Sequence, residues 1–239
     1  MGTSSALISL AMDLMGDLVA PSRCAACDSV VRRLIAFCPA CAATVERVTL
    51  EADTEDGLDA DAPIATFAYG GALAVAIARM KYERRPELAR PLGHLFASAL
   101  ATRVTTLEGV LVVPVPLHPL RLAERGFNQS ALLARHVCAR LGGDFSPRAL
   151  VRVRATERQA SLDRAGRLRN VEDAFLTRRP ERVEGRRVLL VDDVTTTGAT
   201  LRACAQALGN AGALEVGSAV VARAHREGAA TGVSSALPP

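Results

Sequence analysis

The stretch Arg186–Asp192, RRVLLVD, limits the fold more than any other in the chain. Four aliphatic residues in a row, with no polar alternation, suit a strand covered on both faces, and such strands belong to parallel sheets wrapped by helices. Similar runs recur. PIATFAY from Pro63, VLVVPVP from Val110, ALVRVR from Ala149 and EVGSAVVARA from Glu215 all read as strands. Helical spacing lies between them, over Ala72–Tyr82, Pro86–Leu107, Gln129–Leu141 and Ala199–Asn210. Asn128 is placed to cap the third of these, and Gly142-Gly143 to end it. Strands alternating with helices of this length predict an α/β domain with a mainly parallel sheet. With 49% hydrophobic and 3% aromatic residues, its core must be built from Ala, Leu and Val.

Organisation follows from composition shifts. Leu7, Leu10, Ala11, Leu14 and Leu18 recur at helical spacing, and Asp13 and Asp17 interrupt the apolar run. That segment fits neither a secretory signal nor a membrane span, so the chain reads as a cytoplasmic protein without membrane insertion. Residues 1–50 form an N-terminal helix with a cysteine unit, 51–62 an acidic linker, 63–226 the α/β domain and 227–239 a tail. A net charge of +4 favours an anionic partner without choosing among nucleotide, phosphosugar and nucleic acid.

The best strand runs into Asp192 and Asp193, followed by VTTTGAT. In parallel α/β sheets ligands lie beyond the carboxyl ends of the strands. A helix N-terminus there offers unpaired N–H groups and the positive end of a dipole to an anion. Thr195, Thr196, Thr197, Gly198, Ala199 and Thr200 are small enough to let the backbone wrap a phosphate, and the hydroxyls add donors. Two carboxylates beside a phosphate cradle must engage something else on the same ligand: sugar hydroxyls, or magnesium held through water. A ribose 5-phosphate meets both demands. No Gly-Lys-Ser/Thr loop and no G-x-G-x-x-G follows the strand, which removes the Walker and dinucleotide readings.

Two arginine-bearing stretches accompany this motif. Pro114–Ser130, PVPLHPLRLAERGFNQS, reads as a long basic loop offering His118, Arg121 and Arg125; it is either a donor set for a diphosphate or a proline-kinked surface loop. RATERQASLDRAGRLRN, from Arg154, carries Arg158, Gln159, Arg164, Arg167, Arg169 and Asn170, and is either a lid over the ligand or a solvated excursion.

Cys24, Cys27, Cys38 and Cys41 follow the pattern C-x2-C-x10-C-x2-C, which can place four thiolates around structural zinc. Two disulfides or an iron–sulfur cluster would use the same residues. Cys138 and Cys204 read as buried apolar cysteines.

VLLVDDVTTTGAT resembles the phosphoribosyl pyrophosphate (PRPP) motif of type I phosphoribosyltransferases. Taken with PVPLHP, RGFNQS, Arg158-Gln159 and Arg169-Asn170-Val171, the chain resembles the ComF family over roughly Pro63 to Ala224. The resemblance implies a type I phosphoribosyltransferase-like core with an N-terminal zinc ribbon. It implies PRPP bound with magnesium, its ribose hydroxyls on Asp192 and Asp193 and its 5-phosphate on the following loop. It maps diphosphate binding onto Pro116, Leu117 and His118. Met80-Lys81-Tyr82 looks like the family's lysine-containing segment. Purine-base members of the superfamily often carry an acid where this chain has Thr196, which argues against a purine acceptor. The implied activity is phosphoribosyl transfer to an unidentified acceptor; the alternative is a non-catalytic PRPP or nucleotide binder acting in competence and DNA uptake, with single-stranded DNA or a competence-machinery protein as partner.

Overall fold

A computed structural model describes residues 21–48, 62–153 and 174–224. Among them is a five-stranded parallel sheet of order β1-β7-β6-β2-β3, formed by β1 (Ile64–Ala68), β2 (Leu111–Pro114), β3 (Asp144–Phe145), β6 (Arg187–Thr195) and β7 (Glu215–Arg223). A separate antiparallel ribbon pairs β4 (Leu150–Arg152) with β5 (Phe175–Thr177). β6 is the inner strand expected from its aliphatic run, with Leu111–Pro114 against Val188–Val191 on one side and β7 along its whole length on the other. Its residues alternate between two cores: Leu189 and Val191 face one cluster, Val188 and Leu190 the other.

The first core is covered by α1 (Gly71–Tyr82), α2 (Ala89–Leu100) and α4 (Gln129–Leu141), together with Cys24, Ala25, Ala36 and Phe37 of the cysteine unit. The second is covered by α5 (Ala199–Gly209) and the β4–β5 ribbon. Asn128 caps α4 as its sequence predicts: its side-chain oxygen accepts the Ser130 N–H at 3.0 Å, and Gly142 closes the helix at φ 83°.

Two expectations are corrected. The segment predicted as a long loop after β2 holds a helix, α3 (Pro119–Arg125), because His118 caps it and Pro119 stands in its first turn, where a missing N–H costs nothing. The helix expected to run from Pro86 to Leu107 is a single 3-10 turn, Pro86–Leu88, followed by α2, which stops at Leu100. The β-branched run after it has poor helix propensity, and the Thr102 hydroxyl donates back to the Ala99 carbonyl at 2.8 Å. ALVRVR supplies the strand expected of it, over Leu150–Arg152, paired in the ribbon.

The cysteine unit is joined to the sheet directly. Ala68 N–H donates to Glu46 O at 2.9 Å and Val48 N–H to Thr66 O at 3.2 Å, an antiparallel pairing along the outer margin of β1. The expected N-terminal helix, most of the acidic linker and the tail lie outside the described residues.

Where α2 crosses α4, a Cβ added at Gly93 would sit 2.4 Å from the His136 ring. Gly93→Ala is therefore expected to destabilise the fold by about 1–3 kcal/mol in urea unfolding, with His136→Ala in the same chain recovering part of the loss.

Candidate functional site

β6 does not end at its acids. Its ladder to β7 continues through Asp192↔Val220, Val194↔Ala222 and Thr195↔Arg223, since backbone pairing is indifferent to the charge on the side chains. What the acids need is partners, and two helices supply them. Asp193 is 2% exposed; its Oδ2 forms an ion pair with Lys81 from the last turn of α1, and its Oδ1 accepts from Gln129 Nε2 at 3.5 Å. Asp192 is half-buried, and its Oδ1 accepts the Ser130 hydroxyl at 2.7 Å and the Asp193 N–H at 2.9 Å. Gln129 and Ser130 open α4, so the cap at Asn128 sets where both side chains stand.

Burial and the neighbouring Asp193 carboxylate push the Asp192 carboxyl up to about 7, against the opposing pull of Ser130, the Asp193 N–H and Lys81. Burial works against the charge on Lys81, yet the Asp193 carboxylate outweighs it and holds the ammonium above its ordinary value. Two acids and one cation thus share the carboxyl end of β6.

The small residues of the motif follow this pair along the chain. Thr195 is buried at the strand end, Thr196 and Thr197 are exposed, and Gly198, Ala199 and Thr200 are half-buried where α5 begins. Gly198 turns the chain at φ 73°, a conformation that favours glycine. The Ala199 N–H meets Thr197 Oγ1 at 3.4 Å, and Arg202 closes over the turn, donating to Thr197 O at 2.9 Å.

Pro116, Leu117 and His118 lie just beyond β2, which pairs with β6, so this loop stands beside the acids; Asn128 Nδ2 fixes its start by donating to Val115 O at 3.0 Å. His118 Nδ1 is occupied in capping α3, accepting from Leu120 N–H at 3.3 Å. Arg125 reaches the site by donating to Gln129, and its guanidinium lies 6.0 Å from the Tyr82 ring centroid. Arg121 does not: it is exposed and faces Glu124 on the surface of α3. Arg158, Gln159, Arg164, Arg167 and Arg169 lie outside the described residues.

Arg202 has no signal in the sequence, whereas Gln129 and Ser130 stand in RGFNQS and Lys81 in Met80-Lys81-Tyr82 with no task attached to them. One signal for Lys81 was present: it is the only lysine among 29 Lys and Arg residues. A chain that uses arginine everywhere else keeps the compact ammonium at one place.

The four cysteine sulfurs lie within 4.8 Å of one another, with Cys27 Sγ 3.7 Å from Cys38 Sγ. Thiolates 2.3 Å from a tetrahedral zinc are roughly 3.8 Å apart, so the donor set fits that ion. Two turns aim them: the Cys24–Cys27 turn, closed by Asp28 N–H to Cys24 O at 3.0 Å, and the Cys38–Cys41 turn, closed by Ala42 N–H to Cys38 O at 2.8 Å. The Ser29 hydroxyl beside Cys27 lowers that thiol to about 6, whereas burial and the other thiols push Cys41 up to about 12. Cys138 and Cys204 are free, and burial raises both thiols.

The phosphoribosyl transferase domain model matches residues 127–233, the stretch that holds α4, the paired acids and the glycine turn, so the protein carries a phosphoribosyltransferase domain. The DNA utilization protein YhgH of Salmonella typhimurium is 34% identical over 200 residues, spanning 81% of this chain and 86% of that one. Competence protein F of Haemophilus influenzae is 32% identical over 148 residues, 60% of this chain and 65% of its own length. A solved glutamine PRPP amidotransferase from B. subtilis superposes with a TM-score of 0.42 at 23% identity, over 60% of this chain and 30% of that one. The chain belongs to the ComF/YhgH family. No helix among the described residues is long and apolar enough to cross a membrane.

Two measurements test this site. Protein purified without chelator is expected to carry about one zinc per chain by emission spectroscopy, the ratio a single tetrahedral set of four thiolates allows. Asp192, raised above the ordinary carboxylate value of about 3.9, contributes stability that is complete below pH ~4 and lost as pH rises through about 7. The difference in unfolding free energy between wild type and Asp192→Asn should therefore shrink or change sign across that window and stay flat above pH ~8.

Proposed function

We propose that the chain binds PRPP at the carboxyl end of β6 and transfers its phosphoribosyl group to an acceptor. The observation that carries this reading is the juxtaposition of Asp192 and Asp193 with the Thr196–Thr200 turn at the head of α5. Carboxylates suit a vicinal diol, which donates two hydrogen bonds, and a turn of small residues at a helix N-terminus suits a phosphate. In the reaction, the C1–O bond to diphosphate breaks with its electron pair leaving on oxygen, and the acceptor's lone pair forms the new bond at C1.

The carboxylates are already engaged, Asp193 by Lys81 and Gln129 and Asp192 by Ser130. They therefore fit magnesium only through water, with the diphosphate supplying most of its oxygens. When bound, the ion would offset charge developing on the leaving diphosphate. The protein's own residues hold the sugar: Asp192 at the diol, with Asp193 buried behind it on Lys81 and Gln129, and Thr196, Thr197 and the Ala199 and Thr200 amides at the 5-phosphate. The Pro116–His118 loop and Arg125 stand on the diphosphate side.

The names of the relatives, DNA utilization protein and competence protein, favour a second reading in which the same domain serves DNA handling as a binder. Two tyrosines, six phenylalanines and no tryptophan in the whole sequence weigh against a base-stacking surface for single strands.

Calorimetric titration with PRPP and magnesium separates the two. Wild type should bind, with affinity rising as pH passes through about 7 and Asp192 ionises. Asp192→Asn with Asp193→Asn should weaken binding by about 3 kcal/mol, roughly a hundredfold. Diphosphate release with an acceptor establishes transfer. Salt-sensitive binding of single-stranded DNA that ignores the double substitution, with no PRPP heat, would instead support the second reading.

A further inference from the structure

α1 crosses the carboxyl end of the sheet. It begins where β1 ends at one margin and delivers Lys81 to β6, two places inward in the strand order. Its fixed points are in the cysteine unit. At its start, the Ala72 N–H donates to Thr44 Oγ1 at 2.9 Å, and Gly71 sits so near that an added Cβ would lie 2.2 Å from the Thr44 carbonyl oxygen. At its last turn, Arg79 Nη1 donates to Ala25 O at 3.2 Å and Ala26 O at 3.0 Å, the two carbonyls between Cys24 and Cys27, while Nη2 pairs with Asp28. Arg85, just beyond the helix, adds a second contact to Asp28 at 3.0 Å. Asp28 itself holds φ 60°, a left-handed geometry tolerated by Asp but costly for most residues.

Arg79 and Lys81 are two residues apart, so on a helix they project about 200° from one another. One side of α1 is gripped by the first cysteine turn and the opposite side presents the ammonium to Asp193. The carbonyls that receive Arg79 belong to the turn that must bring Cys24 and Cys27 onto one ion, and their direction depends on that turn being closed.

We propose that Lys81 is the resident cation of the sugar-phosphate site and that the cysteine unit positions it, through Asp28, Arg79 and α1, so that metal loading of the four cysteines sets the affinity of the site for its anionic ligand. The effect on affinity rests on the PRPP reading; the mechanical link does not. PRPP is a polyanion, and two carboxylates without a nearby positive charge would oppose its approach. A point charge fixed beside Asp193 offsets that repulsion. Because Asp193 keeps the amine protonated, its role is that of a cation and not of a nucleophile.

Since Lys81 is the only lysine, amine acylation followed by peptide mass spectrometry reports on this one side chain. In zinc-loaded protein Lys81 should acylate slowly. Chelator treatment should speed it about tenfold, and so should Asp28→Ala, which keeps all four cysteines and its zinc; this is within the usual range for coupled sites. PRPP affinity should fall by a similar factor in both and in Lys81→Met, with Lys81→Arg recovering part of the loss and zinc content unchanged. Equal labelling rates in loaded protein and in zinc-retaining Asp28→Ala overturn the link, whether or not the stripped protein stays folded. Unaltered PRPP affinity in Lys81→Met overturns the role of the cation. If wild type binds no PRPP while labelling still responds to zinc, the ligand assignment falls and the link stands.

Discussion

Asp193 is a carboxylate almost wholly withdrawn from water at the end of the central strand, and such a group persists only where opposite charge and hydrogen bonds replace its solvation. Lys81 and Gln129 do so. Meeting that one demand dictates much of the architecture around it. A helix must traverse the sheet end to bring the ammonium, and another must start just below the acids to bring an amide and a hydroxyl. α1 and α4 have those placements, and the segment between β2 and α4, which holds α3, is tied back to Val115 by the same Asn128 that caps α4.

The central sheet was legible because its strands are aliphatic runs that permit one environment. RRVLLVD and EVGSAVVARA both became strands, and the caps at Asn128 and Gly142 act as local chemistry says they should. Local rules failed where two signals overlapped. Prolines at 114, 116 and 119 read as loop, although a proline in a helix's first turn is harmless. β3 is only two residues long, too short to show a pattern, and takes its place from contact with β2. The acids of the site could be read as a pair, but their partners are 62 to 64 residues away in α4 and farther still in α1, and no periodicity reports such distances.

The cysteine unit changes meaning once it is seen in place. As a sequence it looks like a small metal-stapled appendage before a linker. In three dimensions Cys24, Ala25, Ala36 and Phe37 are buried in the same cluster as Leu73, Ile77 and Met80 of α1. A unit this small lacks a core of its own. It borrows one from the larger domain, and the larger domain takes from it the support of α1.

The strand-like segment Glu46–Val48 has a further consequence, for the company the molecule keeps. β1 would otherwise present a free rim of amides and carbonyls, the kind of ledge on which a second copy can zip. Those residues occupy part of it, and at the far side β3 offers a rim only two residues long. An α/β sheet trimmed in this way gives neighbouring copies little purchase for edge-to-edge aggregation.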